Sequence, residues 1–237
     1  MEESAAKRPV DQAEQALVSA ILDGRFPKGS SLPGERDLVE ILGVTRPTLR
    51  EALRRLERDG WITVSQGKST RVNDVWHDGG LNVLSGIVRH SHTLPDDFVP
   101  NLLGVRLDIA PTYTRLGIEN APGRIADLAD RGRNLAENAA AFAAFDWTLH
   151  RTLTIESGNP VYTLILNGFT DFYQHLAREY YFILPGARQT SRHYYGNLSD
   201  AARHGDSDRA ADITREVMQA SIALWRQALS SITETTS

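Results

Sequence analysis

Apolar residues recur at helical spacing from near the start of the chain, with one interruption of a different period. Ala13, Ala16, Leu17, Ala20 and Ile21 share a stripe, which predicts an amphipathic helix over 11–24 closed by Gly24. Phe26-Pro27-Lys28-Gly29-Ser30-Ser31-Leu32-Pro33-Gly34 breaks the pattern and reads as a loop. A second helix over 35–42 turns Leu38, Ile41 and Leu42 inward and stops at Gly43. Thr45 suits the N-cap of a third helix that ends near Asp59, with Pro47 tolerated in its first turn. Leu49, Leu53 and Leu56 form a core stripe at i, i+4, i+7, while Arg46, Arg50 and Arg54 repeat on a different, solvent-facing stripe. The period then shortens. Trp61–Ser65 and Ser69–Asn73, joined at Gln66-Gly67-Lys68, read as a small hairpin. Three helices followed by a hairpin is the order of a winged helix-turn-helix.

Asp74–Gly80 reads as a linker, and beyond it the pattern is helical almost throughout. Pro and Gly breaks delimit helices over 81–92, 97–119, 123–137, 139–157, 160–183, 188–204 and 206–233, the second kinked at Pro111. The expected fold is mainly α. A winged helix-turn-helix spans 1–74, a linker 75–80, and an all-α helical bundle 81–237.

Composition narrows the function classes. Of 237 residues, 41% are hydrophobic and 24% charged, the balance of a globular protein with a sizeable core. No apolar run reaches the length of a membrane span, and Met1-Glu2-Glu3-Ser4 does not resemble a secretory signal. Without cysteine there is neither disulfide nor thiolate chemistry, and a cytoplasmic address is expected. The net charge of −4 is unevenly spread: residues 46–71 carry +4 and residues from 75 onward −4. Local charge is what meets a phosphate backbone.

The third helix carries the candidate DNA-reading chemistry. Arg46 and Arg50 project together from its first turns, and a guanidinium can donate two hydrogen bonds to guanine O6 and N7. Thr45 and Thr48 offer hydroxyls to phosphate at a helix N-terminus. Lys68 at the hairpin tip is placed to reach phosphate or the minor groove, and Gly67 permits close backbone approach. An arginine stripe alone more often marks a solvated face. The capped helix, apolar stripe and glycine hairpin together favour DNA. Asp59-Gly60-Trp61 reads instead as a helix stop followed by a packing aromatic.

Ser31-Leu32-Pro33-Gly34-Glu35-Arg36-Asp37-Leu38, Gly43-Val44-Thr45-Arg46-Pro47-Thr48-Leu49-Arg50-Glu51-Ala52-Leu53 and Asp59-Gly60-Trp61 resemble the GntR family of bacterial regulators. Arg25-Phe26-Pro27, Gly80-Leu81-Asn82-Val83-Leu84, Asn101-Leu102-Leu103-Gly104-Val105-Arg106 and Ser157-Gly158-Asn159-Pro160-Val161-Tyr162 extend the resemblance to its acyl-CoA-responsive branch, which controls fatty-acid metabolism. The resemblance implies a homodimer on a palindromic double-stranded operator, repressing degradation genes and activating biosynthetic ones. It places Arg36, Thr45, Arg46, Thr48, Arg50, Gln66, Gly67 and Lys68 on DNA-contacting positions. Gln66 and Pro47 depart from the relatives' residues there.

For the second domain the resemblance implies a long-chain fatty acyl-CoA effector and no resident cofactor. Arg106 and Arg215 fall on positions used around the coenzyme, and Ser221 and Trp225, one helical turn apart, on positions tied to ligand response. Tyr173, Tyr180, Tyr181 and Phe182 are candidates to line an apolar tunnel, though ordinary core packing accounts for each alone. Met218 stands where these relatives have glycine and fills space a ligand needs. A neighbouring subfamily holds a metal with one Asp and three His. His150 matches one ligand, but Tyr195 and Ser221 occupy two of the others, so no metal site is expected. Two alternatives stay open. One is a regulator of the same family sensing another small carboxylate or a metal-bound ligand. The other is a thioester-processing enzyme, disfavoured because no Gly-x-Ser-x-Gly elbow or cysteine nucleophile is present.

Overall fold

The structure, a computed structural model, describes residues 8–65, 67, 69–90 and 97–235. Its contacts divide the chain into two compact units, Met1–Leu94 and Pro95–Ser237.

In the first unit, α1 (Pro9–Leu22), α2 (Glu35–Leu42) and α3 (Arg46–Asp59) precede an antiparallel pair, β1 (Ile62–Thr63) and β2 (Arg71–Val72). α1 buries Ala13, Leu17, Val18, Ala20 and Ile21, and α3 buries Leu49, Ala52, Leu53 and Leu56. The Thr45 side chain accepts a hydrogen bond from the Thr48 backbone N–H at 3.4 Å and caps α3. Gly60 closes α3 at φ 92°, a left-handed conformation that a side chain would strain. Trp61 follows it into the core. The inward orientation expected of Ile41 is not found: it is 63% exposed, and Leu38 alone of α2 is fully buried. Leu42 is half-buried, so the packed face of α2 is centred on Leu38 and leaves Ile41 at its edge.

The Pro/Gly loop is more ordered than its composition implies. Gly29 N–H donates to Val72 O, Val72 N–H to Ser30 O and Leu32 N–H to Thr70 O, so the segment lies against β2 as a third extended piece. The segment read as a linker is also docked. Val75 is buried, and the Asp74 carboxylate pairs with Lys28 at 2.7 Å and His77 at 3.0 Å, which hold its pKa down to about 2. Helix α4 (Leu81–His90) packs on α1 and clusters with the first unit, whereas the sequence pattern assigns it to the second domain.

The second unit is all helix: α5 (Phe98–Asn120), α6 (Pro122–Arg131), a 3-10 turn (Gly132–Asn134), α7 (Ala139–Glu156), α8 (Pro160–Gly168), α9 (Thr170–Ile183), α10 (Pro185–Arg203) and α11 (Ser207–Thr235). Pro111 lies inside α5 without ending it. The helix expected over 160–183 is two helices, parted at Phe169, which is the C-cap of α8 and the N-cap of α9. α11 packs along α5, α10 against α6 and α11, and α7 against α5, α8 and α9. Phe142, Leu149, Leu153, Ile118, Ile125 and Tyr195 form the centre of this core.

Candidate functional site

The first unit exposes one end of α3. Thr45, Arg46 and Arg50 are exposed and Thr48 half-buried, with Arg36 exposed on α2. Gly67 takes a positive φ of 73°, which suits a hairpin tip. Gln66 and Lys68, expected at the same tip, lie outside the described residues.

The guanidinium groups differ in how they are held. Arg50 Nε donates to both oxygens of Glu35, at 3.2 and 3.0 Å, and this hydrogen bonding raises its pKa. Arg54 lies 3.5 Å from Glu51, and Arg55 donates to Asp11, Glu14 and Glu51. Arg58 pairs with Asp59 at 2.8 Å. Among the described residues Arg46 has no carboxylate within ion-pair reach. The positive stripe is thus largely neutralised from within, and the field it presents to an anion is concentrated at the N-terminal end of α3. Sequence reasoning missed Glu35, because its partner lies fifteen residues away across the helix-turn-helix corner.

The second unit encloses a cavity of about 100 Å³. Tyr180, Ser221 and Trp225 all line it, the last two from one face of α11 as their spacing predicts, and the rings of Tyr180 and Trp225 stack with centroids 6.3 Å apart. Ser221 Oγ donates to Val217 O at 2.9 Å. Tyr173 and Tyr181 also line the cavity, while the side chain of Phe182 lies outside the described ones. Met218, 2% exposed, is part of the wall, so its side chain does occupy space there.

Arg106 and Arg215 do not form a pair of cations at a mouth. Arg215 is half-exposed, donates to Asp212 at 2.5 Å and is absent from the lining. Arg106 points inward. Its Nη2 donates to Asp146 Oδ2 at 2.8 Å, and its guanidinium lies over the Tyr173 ring at 4.9 Å from the centroid. Asp146 also accepts from Tyr173, and from Tyr195 at 3.1 Å. Burial acts to raise the Asp146 pKa, but Arg106 and the donated hydrogen bonds outweigh it, so the carboxylate stays ionised. One turn along α7, His150 is fully buried. Its Nδ1 shares a hydrogen bond of 2.8 Å with Tyr113 Oη, and its Nε2 lies 3.7 Å from Asp146 Oδ1, beyond hydrogen-bond reach. Burial, reinforced by the Arg106 charge, lowers the His150 pKa to about 3, so the ring is neutral. The spacing Asp146-x-x-x-His150 is the signal in the sequence that points to this centre; its partners come from α5, α9 and α10 and carry no local signature.

Comparison with known proteins settles the class. Residues 9–72 match the family described as bacterial regulatory proteins of the gntR family, and residues 73–236 match the FadR C-terminal domain. The chain belongs to the GntR family. It is a DNA-binding transcription regulator that carries the FadR type of second domain. Among curated relatives, the fatty acid metabolism regulator protein of Pectobacterium carotovorum subsp. carotovorum (strain PC1) is 39% identical over 227 residues, covering 96% of this chain and 95% of that one. The protein of the same name from Yersinia pestis (strain Pestoides F) is 40% identical over 220 residues, covering 93% and 92%. Two solved structures share the fold. One is a regulator termed Lar, from work on Listeria monocytogenes, with a TM-score of 0.58 at 15% identity over 95% of this chain and 99% of that one. The other is a GntR family member from Pseudomonas syringae pv. tomato, with a TM-score of 0.51 at 18% identity, covering 100% and 92%. Among the described residues no helix is long and apolar enough to cross a membrane.

Proposed function

We propose that this GntR-family regulator acts in the cytoplasm as a homodimer, binds a palindromic operator in genes of fatty-acid metabolism, and is released by long-chain fatty acyl-CoA. It works by binding, without catalysis. The observation that carries the reading is the capped N-terminus of α3, which presents Thr45, Arg46 and Arg50 to solvent in a chain whose second unit has a largely apolar cavity. A groove-entering helix reads bases with such residues, and an apolar cavity suits an acyl chain. Release requires the acyl-CoA to bind the DNA-free form more tightly, and DNA must then weaken acyl-CoA binding by the same factor.

The cavity is smaller than the roughly 150 Å³ space that admits a benzene ring, so a long chain enters only when wall side chains such as Met218 and Trp225 move. That size supports a second reading, a regulator of the same family sensing a smaller carboxylate. A gel-shift assay on promoter fragments from the protein's own genome, with and without oleoyl-CoA, tests the first. Operator affinity that ignores oleoyl-CoA refutes the effector, and mass spectrometry of the ligand retained on purification, with metal analysis, then tests the second.

A further inference from the structure

The polarity of the cavity wall runs opposite to what a plain hydrocarbon chain end requires. The lining residues with least solvent exposure, Tyr113, Asp146, His150, Tyr181, Ser191, Tyr194 and Met218, form its floor, and all but Met218 carry a hydroxyl, carboxylate or imidazole group. The more accessible wall, formed by Leu102, Leu103, Val105, Ile165, Leu166 and Phe169, is hydrocarbon, and Val105 is half-exposed. A saturated chain that enters from the accessible side brings its methyl terminus against the polar floor.

Most polar groups of the floor are satisfied by one another. Tyr181 Oη and Ser191 Oγ share a hydrogen bond of 2.9 Å, and Tyr194 Oη is 3.3 Å from Thr214 Oγ1. Two atoms are not. Arg106 Nε and His150 Nε2 are buried and have no hydrogen-bond partner among the described residues. Both side chains line the cavity, and both flank the same carboxylate, Asp146. Buried polar atoms are nearly always paired, with protein, water or ligand. Arg106 already has its counter-ion, so a further full negative charge here would meet Asp146. A neutral oxygen meets no such repulsion. It accepts from Arg106 Nε–H, and a hydroxyl suits His150 in either tautomer, since it both donates and accepts.

We propose that the floor of this cavity seats a neutral oxygen-bearing group, so that the second unit selects amphiphiles whose leading end carries a hydroxyl or carbonyl oxygen over chains that end in a methyl group. Such an oxygen has two sources: the far end of an oxygenated acyl chain still attached to its coenzyme, or the head of a free amphiphile that enters head first. Water can serve each orphaned atom while the cavity is empty of ligand, but an advancing chain expels it. A methyl group then leaves both atoms stranded; a hydroxyl replaces what the water supplied. The proposal rests on the second unit being a ligand sensor.

The test is isothermal titration of the full-length protein with dodecanoyl-CoA, 12-hydroxydodecanoyl-CoA and 1-dodecanol, repeated with octanoyl-CoA and 8-hydroxyoctanoyl-CoA. Any cost of opening the cavity is common to each matched pair and cancels in the ratio. The expected result is that a hydroxylated ester binds at least about tenfold more tightly than its plain partner, which is about 1.4 kcal/mol. Binding of dodecanol when no ester binds also supports the oxygen site, identifies the free amphiphile as its source, and refutes the acyl-CoA effector. Equal or tighter binding of the plain esters at both lengths overturns the proposal while leaving acyl-CoA sensing intact. Binding of none of the five overturns both. In His150→Phe the ratio should fall toward one, and a tenfold preference that survives there overturns the assignment. If that variant does not fold, the ratio in the unaltered protein decides.

Discussion

Replacing Asp146 by leucine should destabilise the second unit far more than an average buried substitution. The carboxylate holds Arg106 at 2.8 Å, keeps 6% of its side-chain surface and also accepts from the hydroxyls of Tyr173 and Tyr195. At that separation and an effective dielectric near 20, the attraction is about 6 kcal/mol, comparable to the several kcal/mol each ion loses on leaving water. The intact pair therefore contributes little net stability, but removing one side strands the other. Asp146→Leu leaves a guanidinium with only 21% of its side-chain surface in solvent, and about 3–5 kcal/mol should be lost. Arg106→Met in the same chain removes the stranded charge and should recover at least about 2 kcal/mol of that loss. Urea titration read through Trp147, whose ring lies 5.3 Å from Tyr173, reports on this unit, and calorimetry should show its transition falling by about 10 °C in the single variant. A single variant within about 1 kcal/mol of the parent, or a double variant no more stable than the single, refutes the reasoning.

Four further outcomes are expected. His150 has a pKa of about 3 in the folded protein against 6.5 unfolded, so its contribution is fully present above pH 6.5 and lost as pH falls toward 3. Stability of the second unit should drop by about 2 kcal/mol between pH 7 and pH 5, and His150→Gln should flatten that slope in pH-dependent urea melts. Glu35→Gln releases the Arg50 guanidinium and removes a carboxylate from the DNA-facing end, so affinity for random duplex should rise while the ratio of operator to random binding narrows; fluorescence anisotropy at several salt concentrations measures both. Arg46→Ala should cost about 1–3 kcal/mol at one base position and little at the others, which a panel of single-base operator variants resolves. A methyl group at Gly132 would sit 2.5 Å from Tyr195 Cδ2 and 2.7 Å from Phe145 Cε1, so Gly132→Ala should destabilise by about 1–3 kcal/mol in thermal melts without altering DNA affinity at low temperature.

Much of the first unit was legible in the sequence because its signals are local. Thr45 caps the helix three residues away, Gly60 terminates it, and the Leu49, Leu53 and Leu56 stripe needs only its own spacing to declare the buried face. The hairpin was equally readable, although only two residues of each strand pair. In α2 the pattern misled: period alone puts Ile41 inward, but the face available against α3 is not a property of the α2 sequence. In the second unit, periodicity located most helices but missed the break at Phe169, although the turn-forming pair Asn167-Gly168 stands just before it.

The cavity divides along the same line. Ser221 and Trp225 lie one turn apart on a single helix, so their common face follows from the chain itself. The same holds for Asp146 and His150. That Arg106 turns inward to meet them depends on α5 lying beside α7, and that Arg215 stays outside depends on the face α11 buries. Likewise Glu35 could be matched with Arg50 only once the corner between α2 and α3 was formed. The amino-acid sequence by itself determined which segments are helical, where they are capped and which side of each is apolar, because backbone hydrogen bonds and side-chain period act over four residues or fewer. Which charges are neutralised, which atoms are left without partners and how polarity is distributed around the cavity were decided by tertiary structure, because Coulomb forces and desolvation act between groups that packing alone brings together.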